Sequence, residues 1–122
     1  VISRLIDVLR QRTDHYNTSL LYVSDHGESL GESGLYLHGA PYFLAPSEQT
    51  QVPMMFWMSS GLAKAQKVDQ ACLAERAQNG SFSHDNLFST ILGLMQVDTL
   101  IYNPSHDILD ICRNIKDLHA SR

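Results

Sequence analysis

The sequence has little cysteine, no cluster of positive charge and no long apolar run. Its two cysteines, Cys72 and Cys112, are too few and too far apart for a cysteine-based zinc site, so they are two buried thiols or one disulfide. Nine basic residues against thirteen acidic ones give a net charge of −4, and without a Lys/Arg cluster we expect no nucleic acid partner. The longest apolar stretch, residues 53–58, is far shorter than the ~20 residues that span a bilayer. We therefore expect neither a membrane span nor a signal peptide in this segment.

Composition and periodicity indicate a globular α/β chain. Apolar residues make up 43% and charged residues 18%, which is ordinary for a folded domain. Helical spacing predicts helices over residues 1–12, 63–78 (in one or two pieces) and about 83–95, and apolar runs predict strands over 19–24 and 51–59. The second strand is apolar almost throughout, as strands are when helices cover both faces of a parallel sheet. The sequence therefore predicts part of a mostly parallel sheet flanked by helices.

A carboxylate and an imidazole follow the first predicted strand directly. The run LLYV at 20–23 ends at SDHG, which places Asp25 and His26 at the carboxyl end of a strand, where ligands collect in open α/β sheets. Zinc is bound by such groups, and a catalytic zinc keeps one position open. Neighbouring residues of a strand point to opposite faces, so the chain must leave strand geometry by Asp25 if both are to reach one ion. Gly27 tolerates the backbone angles that such a change requires. We predict that Asp25 and His26 form part of a metal site.

His38 is a third candidate for the same site. It follows His26 by twelve residues, across a loop that carries three glycines, so the chain can fold back and bring the two rings together. The Gly-Ala-Pro that follows it is typical of a tight irregular loop, where binding groups often lie. The whole connection, 25–50, is long enough to predict a functional loop or short helical turns. We expect the other histidines to lie outside the site. Asp14-His15 is predicted to be solvated, His84-Asp85 and His106-Asp107 to begin helices, and His119 to lie in a C-terminal tail.

The longer motif is far more specific than SDHG alone. The stretch SDHGESLGESGLYLHGAPYFLAPSEQTQVPMMFW at 24–57 combines the metal loop, the second His-Gly and the apolar strand in one order. In this it resembles the phosphoethanolamine transferases of Gram-negative bacteria, which include the mobile colistin-resistance enzymes. Their catalytic domains belong to the alkaline phosphatase and sulfatase superfamily. The stretches SHDNLF at 83–88 and LGLM at 92–95 are also similar to the closing helix of these enzymes, so the resemblance covers most of the chain.

The resemblance implies an alkaline phosphatase-like fold of which residues 1–122 are the C-terminal part, within a periplasmic sulfatase-like catalytic domain. It implies a zinc enzyme that transfers phosphoethanolamine from phosphatidylethanolamine to a lipid A phosphate through a phosphothreonine, conferring polymyxin and colistin resistance. The family's N-terminal helices anchor such enzymes in the inner membrane. Asp25 and His26 would be zinc ligands, and His38 would contact the donor phosphate or a second metal.

The nucleophile is expected upstream of this chain. None of Thr13, Thr18, Thr50 or Thr99 lies in a context that matches the family's threonine nucleophile. A sulfatase or a phosphoglycerol transferase would share Asp25 and His26 and remains the alternative enzyme. The isolated chain is expected to be a non-catalytic fragment, because two ligands without partners hold zinc weakly. The implied periplasmic location would also allow the two cysteines to be bridged.

Overall fold

The computed structural model describes residues 1–113, so His119 and its predicted tail lie outside the described residues. The described residues contain both helices and strands, with the named strands in the first half of the chain, which confirms the α/β class. The chain divides into two compact units, one from Val1 to Ser59 and one that begins at Ser60. Among the described residues, no helix combines the length and the apolar character that a membrane crossing requires.

The first unit is built on two strands and a helix. Helix α1 spans Ile2–Arg10, strand β1 spans Ser19–Val23, and a second long strand spans Met54–Met58. The two strands pair antiparallel, with Ser19 opposite Met58 and Val23 opposite Met54. The prediction placed these strands in a mostly parallel sheet, and the antiparallel direction of this pair corrects that part of it. Their apolar character indicates that both faces are covered, which says nothing about the direction of the neighbouring strand.

The connection between these strands contains short ordered elements, as its length predicts. Strands β2 (Ser29–Leu30) and β3 (Tyr36–Leu37) pair antiparallel around a 3₁₀ turn at Glu32–Gly34. Helix α2 follows at Ser47–Thr50, and the long strand Met54–Met58 is then β4 in chain order. The long loop is thus a small hairpin followed by one helical turn, and it carries all three candidate site residues.

The second unit is helical. Helix α3 spans Ser60–Ala65, α4 spans Gln70–Asn79 and α5 spans Asp85–Leu94, with 3₁₀ turns at Pro104–His106 and Asp110–Cys112. The predicted helix at 63–78 is two pieces, because Lys67 adopts a left-handed φ of 55° that no α-helix continues through. Asp69 caps α4 as a helix-start residue should, since its Oδ1 accepts from the backbone N–H groups of Ala71 at 2.8 Å and Cys72 at 3.3 Å.

The helix start predicted at His84-Asp85 is confirmed, since α5 begins at Asp85, whereas the start predicted at His106-Asp107 is wrong. At the start of α5, His84 makes no capping hydrogen bond with its side chain; Ser83 Oγ instead accepts from the Asp85 backbone N–H at 3.2 Å. His106 ends a 3₁₀ turn that is capped by Asn103, so it begins no helix. In that second pair, Asp107 matches the prediction in part, because its carboxylate accepts from the backbone N–H of Leu109 at 2.8 Å, just before the last turn. A short hydroxyl or amide reaches a neighbouring amide more easily than an imidazole does.

A buried ion pair lies at the centre of the second unit. Arg113 Nη1 donates to Asp107 Oδ2 at 2.8 Å, and their side chains are 14% and 0% exposed. The Tyr102 hydroxyl donates to the same oxygen at 2.8 Å. Burial, followed by the interaction with Asp107, raises the pKa of Tyr102, which keeps the hydroxyl protonated and able to donate. Gly93 packs against the pair so closely that a Cβ there would overlap the Asp107 carboxylate.

Cys72 and Cys112 form a disulfide, which decides between the two alternatives that the sequence left open. Their Cα atoms are 5.6 Å apart across a sequence separation of 40 residues. Next to the bridge, the Asp69 backbone N–H donates to the Cys112 carbonyl at 2.8 Å. The disulfide therefore holds α4 against the last 3₁₀ turn of the described chain.

We expect replacement of both Cys72 and Cys112 by alanine to lower the free energy of unfolding by about 2–4 kcal/mol, because the bridge restricts the unfolded chain. Urea denaturation of the oxidised wild type and the double variant measures the difference. Wild type denatured in the presence of a reductant should match the variant. A loss below about 0.5 kcal/mol would contradict a stabilising role for the bridge.

Candidate metal site

The site begins where β1 ends. Val23 is the last residue of the strand. The Ser24 backbone N–H still donates to the carbonyl of Pro53, the residue before β4, at 3.2 Å. Asp25 then lies in a bend. The chain has therefore left strand geometry at the position that the metal-site prediction requires, and both Asp25 and His26 are exposed.

Asp25 presents an ionised carboxylate to solvent. Its side chain is 90% exposed, and its Oδ1 accepts from the His26 backbone N–H at 3.0 Å. That backbone hydrogen bond is the main reason why the pKa of Asp25 lies below its ordinary value, with smaller contributions from a hydrogen bond to its own backbone and from the nearby His26 ring. One carboxylate oxygen is thus used to fix the side chain, and Oδ2 is available to a cation.

His26 has one ring nitrogen occupied and one directed towards Asp25. Nδ1 lies 2.9 Å from the Gly27 carbonyl oxygen, and because a carbonyl can only accept, Nδ1 must carry the proton. Nε2 is then the ligand atom of the neutral ring, as in metal sites where the second nitrogen donates to a backbone carbonyl. It lies 3.8 Å from Asp25 Oδ2. Two ligands of one tetrahedral zinc ion, each at about 2.0–2.2 Å, lie about 3.4 Å apart, so the two atoms need to approach by about 0.4 Å to share an ion.

Gly27 is required for space rather than for its backbone angles. Its N–H donates to the Gln49 carbonyl at 3.1 Å, and a Cβ at this position would overlap the Glu48 carbonyl oxygen. The glycines with left-handed φ are Gly31, Gly34 and Gly39, not Gly27. The expected reason for Gly27 is therefore corrected: the glycine allows α2 to approach the metal loop, and this contact fixes the backbone that carries His26.

The structure brings His38 to His26. The two ring centroids are 4.1 Å apart and the ring planes are tilted by 31°. His38 follows the end of β3 at Leu37, which adopts a φ of 66°, and precedes Gly39, which adopts 99°. A left-handed conformation is costly for a leucine, so this turn is held by its surroundings. The three candidate residues thus form one exposed group beside the metal loop.

Asp14 and His15 are exposed, as predicted for a solvated pair. Among residues 1–113, no group of three or more His, Cys, Asp or Glu side chains is arranged to hold a metal ion. Zinc sites in proteins use three or four protein ligands. Asp25 and His26 therefore fit zinc by ligand type and protonation, and nearly by spacing, and they supply two of the ligands that such a site needs.

Gln49 is the residue of this region that the sequence did not single out as part of the site. It is 9% exposed and lies on α2, between the two histidine-bearing segments. Its neighbour in sequence, Gln51, is exposed. No pattern of spacing separates these two glutamines, since α2 is a single turn of four residues.

Comparison with known proteins gives consistent matches along the chain. The family model described as Sulfatase matches residues 1–97. Phosphoethanolamine transferase EptA of Escherichia coli K12 is 50% identical over 117 residues, which cover 96% of this chain and 21% of that protein. Phosphatidylethanolamine transferase Mcr-1 of Escherichia coli is 41% identical over 96 residues, covering 79% of this chain and 16% of that protein.

A solved structure matches as well. The integral membrane protein lipooligosaccharide phosphoethanolamine transferase A from Neisseria meningitidis superimposes with a TM-score of 0.86 at 46% identity, covering 92% of this chain and 21% of that one. The chain therefore spans about a fifth of the length of the EptA relative. The described fold is similar to that of a segment of the longer Neisseria meningitidis protein.

Proposed function

The chain belongs to the sulfatase family, and from this membership we propose that it is part of a zinc-dependent phosphoethanolamine transferase. The full-length protein would move phosphoethanolamine from phosphatidylethanolamine to a phosphate of lipid A through a phosphothreonine intermediate, and so confer colistin resistance. The observation that carries the proposal is the exposed Asp25–His26 pair with His38 stacked beside it. The 50% identity to a phosphoethanolamine transferase over 96% of the chain supports this choice of reaction.

Each site residue has a defined role in this proposal. Asp25 Oδ2 and His26 Nε2 hold the ion, with the His26 ring fixed by its Nδ1 hydrogen bond to Gly27. Bound zinc would stabilise the negative charge of the phosphoryl transition state and lower the pKa of the attacking hydroxyl. The ring centroids of His38 and His26 are 4.1 Å apart. From this position the His38 imidazole would donate a hydrogen bond to a phosphate oxygen of the donor lipid.

The nucleophilic threonine and the further ligands are assigned to parts of the protein outside these residues. Thr13, Thr18 and Thr50 each direct the hydroxyl to a backbone carbonyl of a neighbouring helix or turn, of Arg10, Leu9 and Pro46 respectively. Residues 1–122 would then be the C-terminal part of a periplasmic catalytic domain. Inner-membrane anchoring would be supplied by other segments, in keeping with the match to an integral membrane transferase.

A transfer assay on the purified full-length protein tests this function. With phosphatidylethanolamine as donor and lipid A as acceptor, mass spectrometry should detect phosphoethanolamine on lipid A. A chelator should abolish the product and added zinc should restore it. The superfamily alternative makes the opposite prediction: hydrolysis of an aryl sulfate, or transfer of phosphoglycerol, without any phosphoethanolamine on lipid A, would replace the proposed reaction with that of a sulfatase or a phosphoglycerol transferase.

A further inference from the structure

The Gln49 side chain connects the two loops that carry the histidines. Its Oε1 accepts from the Ala40 backbone N–H at 3.3 Å, two residues after His38. Its Nε2 donates to Ser29 Oγ at 2.9 Å, and Ser29 is only 1% exposed. A buried amide that makes both of its side-chain contacts across different segments fixes the distance between those segments.

The backbone of Gln49 contacts the loop of His26, whereas its side chain contacts both that loop, at Ser29, and the segment of His38, at Ala40. Its carbonyl accepts from the Gly27 N–H at 3.1 Å, and this contact holds the loop of the predicted metal ligands. Among the hydrogen bonds of Gln49 in the described part of the chain, the one from the Ala40 N–H to Oε1 reaches the segment of His38. A substitution that keeps the backbone but removes the amide should therefore release His38 and leave Asp25 and His26 in place.

We propose that Gln49 is a positioning residue, which sets His38 against His26 so that the imidazole meets the donor phosphate. The proposal rests on the proposed function for the identity of the reaction. His38 is exposed and follows a strained leucine, so no packing of its own ring into the core holds it. The hydrogen bond from the Ala40 N–H to Gln49 Oε1 joins this loop to α2. A misplacement of about 1 Å at a reacting group can lower a rate by about 10²-fold.

The experiment is a double-mutant cycle on the full-length protein. Gln49→Met keeps the side-chain length and removes both hydrogen bonds, and it is combined with His38→Ala. We expect Gln49→Met to lower kcat/KM for transfer by about 10- to 100-fold, similar to His38→Ala, with unchanged zinc content. The double variant should be no more than about twofold slower than His38→Ala alone, because each change removes the same contribution. Gln51→Met makes the same chemical change at an exposed position two residues away and should retain wild-type kinetics.

Independent effects, which multiply in the double variant, would overturn the proposal, and so would loss of zinc together with a large fall in Tm. The latter would assign Gln49 to folding alone. If Gln49→Met does not accumulate as a folded protein, Ser29→Ala carries the same cycle, since it removes the acceptor that holds the amide. Additivity with His38→Ala would contradict the proposal there as well.

Hydrogen exchange provides a readout that does not depend on the reaction. The Ala40 amide donates to Gln49 Oε1, so Gln49→Met should speed exchange in a peptide spanning 36–44 and leave a peptide spanning 20–27 unchanged. Unchanged exchange at 36–44 would overturn the positioning role. This exchange measurement does not require phosphoethanolamine transfer. It therefore distinguishes a wrong role for Gln49 from a wrong proposed function.

Discussion

Alanine in place of His26 is expected to remove the bound zinc and to lower phosphoethanolamine transfer by about 10³-fold or more. A metal ion contributes several kcal/mol to stabilising transition-state charge, and each 1.36 kcal/mol corresponds to a factor of ten in rate. Because Nδ1 is committed to the Gly27 carbonyl, the variant loses Nε2, the ring nitrogen that can bind the ion. Asp25→Ala should also lower the zinc content and the transfer rate, since it removes the carboxylate whose Oδ2 lies 3.8 Å from His26 Nε2.

The chain supplies a matched control for both substitutions. Asp14 and His15 form a second exposed Asp-His pair in the same unit. Asp14→Ala and His15→Ala should retain full zinc content, measured by inductively coupled plasma mass spectrometry, and full transfer. If the variants of Asp25 and His26 behaved like these controls, the pair after β1 would be a feature of the loop and not a metal site.

Asp107→Ala is expected to lower the free energy of unfolding by about 3–5 kcal/mol, the cost of leaving a buried charge without its partner. Arg113 would keep its guanidinium in a site that is 14% exposed, with its closer ion-pair partner at 2.8 Å removed and Asp110 left at 3.9 Å. The substitution also removes the acceptor of the Tyr102 hydroxyl and of the Leu109 backbone N–H. Equilibrium denaturation measures the loss.

An exposed Asp–Arg pair provides the comparison. Asp7 and Arg10 lie 3.5 Å apart on α1, with side chains that are 62% and 63% exposed. Asp7→Ala should change the free energy of unfolding by no more than about 0.5 kcal/mol, because solvent screens such pairs. An effect of Asp107→Ala as small as that of Asp7→Ala would show that the Asp107–Arg113 pair does not hold the second unit together.

The sequence predicted the elements well where local chemistry decides them. The strand 19–24, the Asp69 cap and the helix near 83–95 depend on apolar runs and on side chains that reach their own backbone, so short windows of sequence are sufficient. The proximity of His38 to His26 was also predicted, because the glycines between them allow the chain to return.

Features that depend on contacts far apart in the chain were not predicted. The antiparallel direction of β4 depends on how the β2–β3 hairpin and α2 return the chain. The apolar sequence of a strand does not indicate its direction relative to its neighbour. The role of Gly27 depends on the approach of Glu48, twenty-one residues later. The sequence predicted that Asp107 begins a helix. Its ion pair with Arg113 depends on the folded structure and could not be predicted from the sequence.

Anomalous diffraction at the zinc absorption edge, recorded from crystals of the full-length protein, would locate the ion itself. We expect a zinc peak about 2.0–2.2 Å from both Asp25 Oδ2 and His26 Nε2, beside the His38 ring. Crystals that contain zinc elsewhere, with Asp25 and His26 free of it, would contradict the assignment of this loop as the metal site.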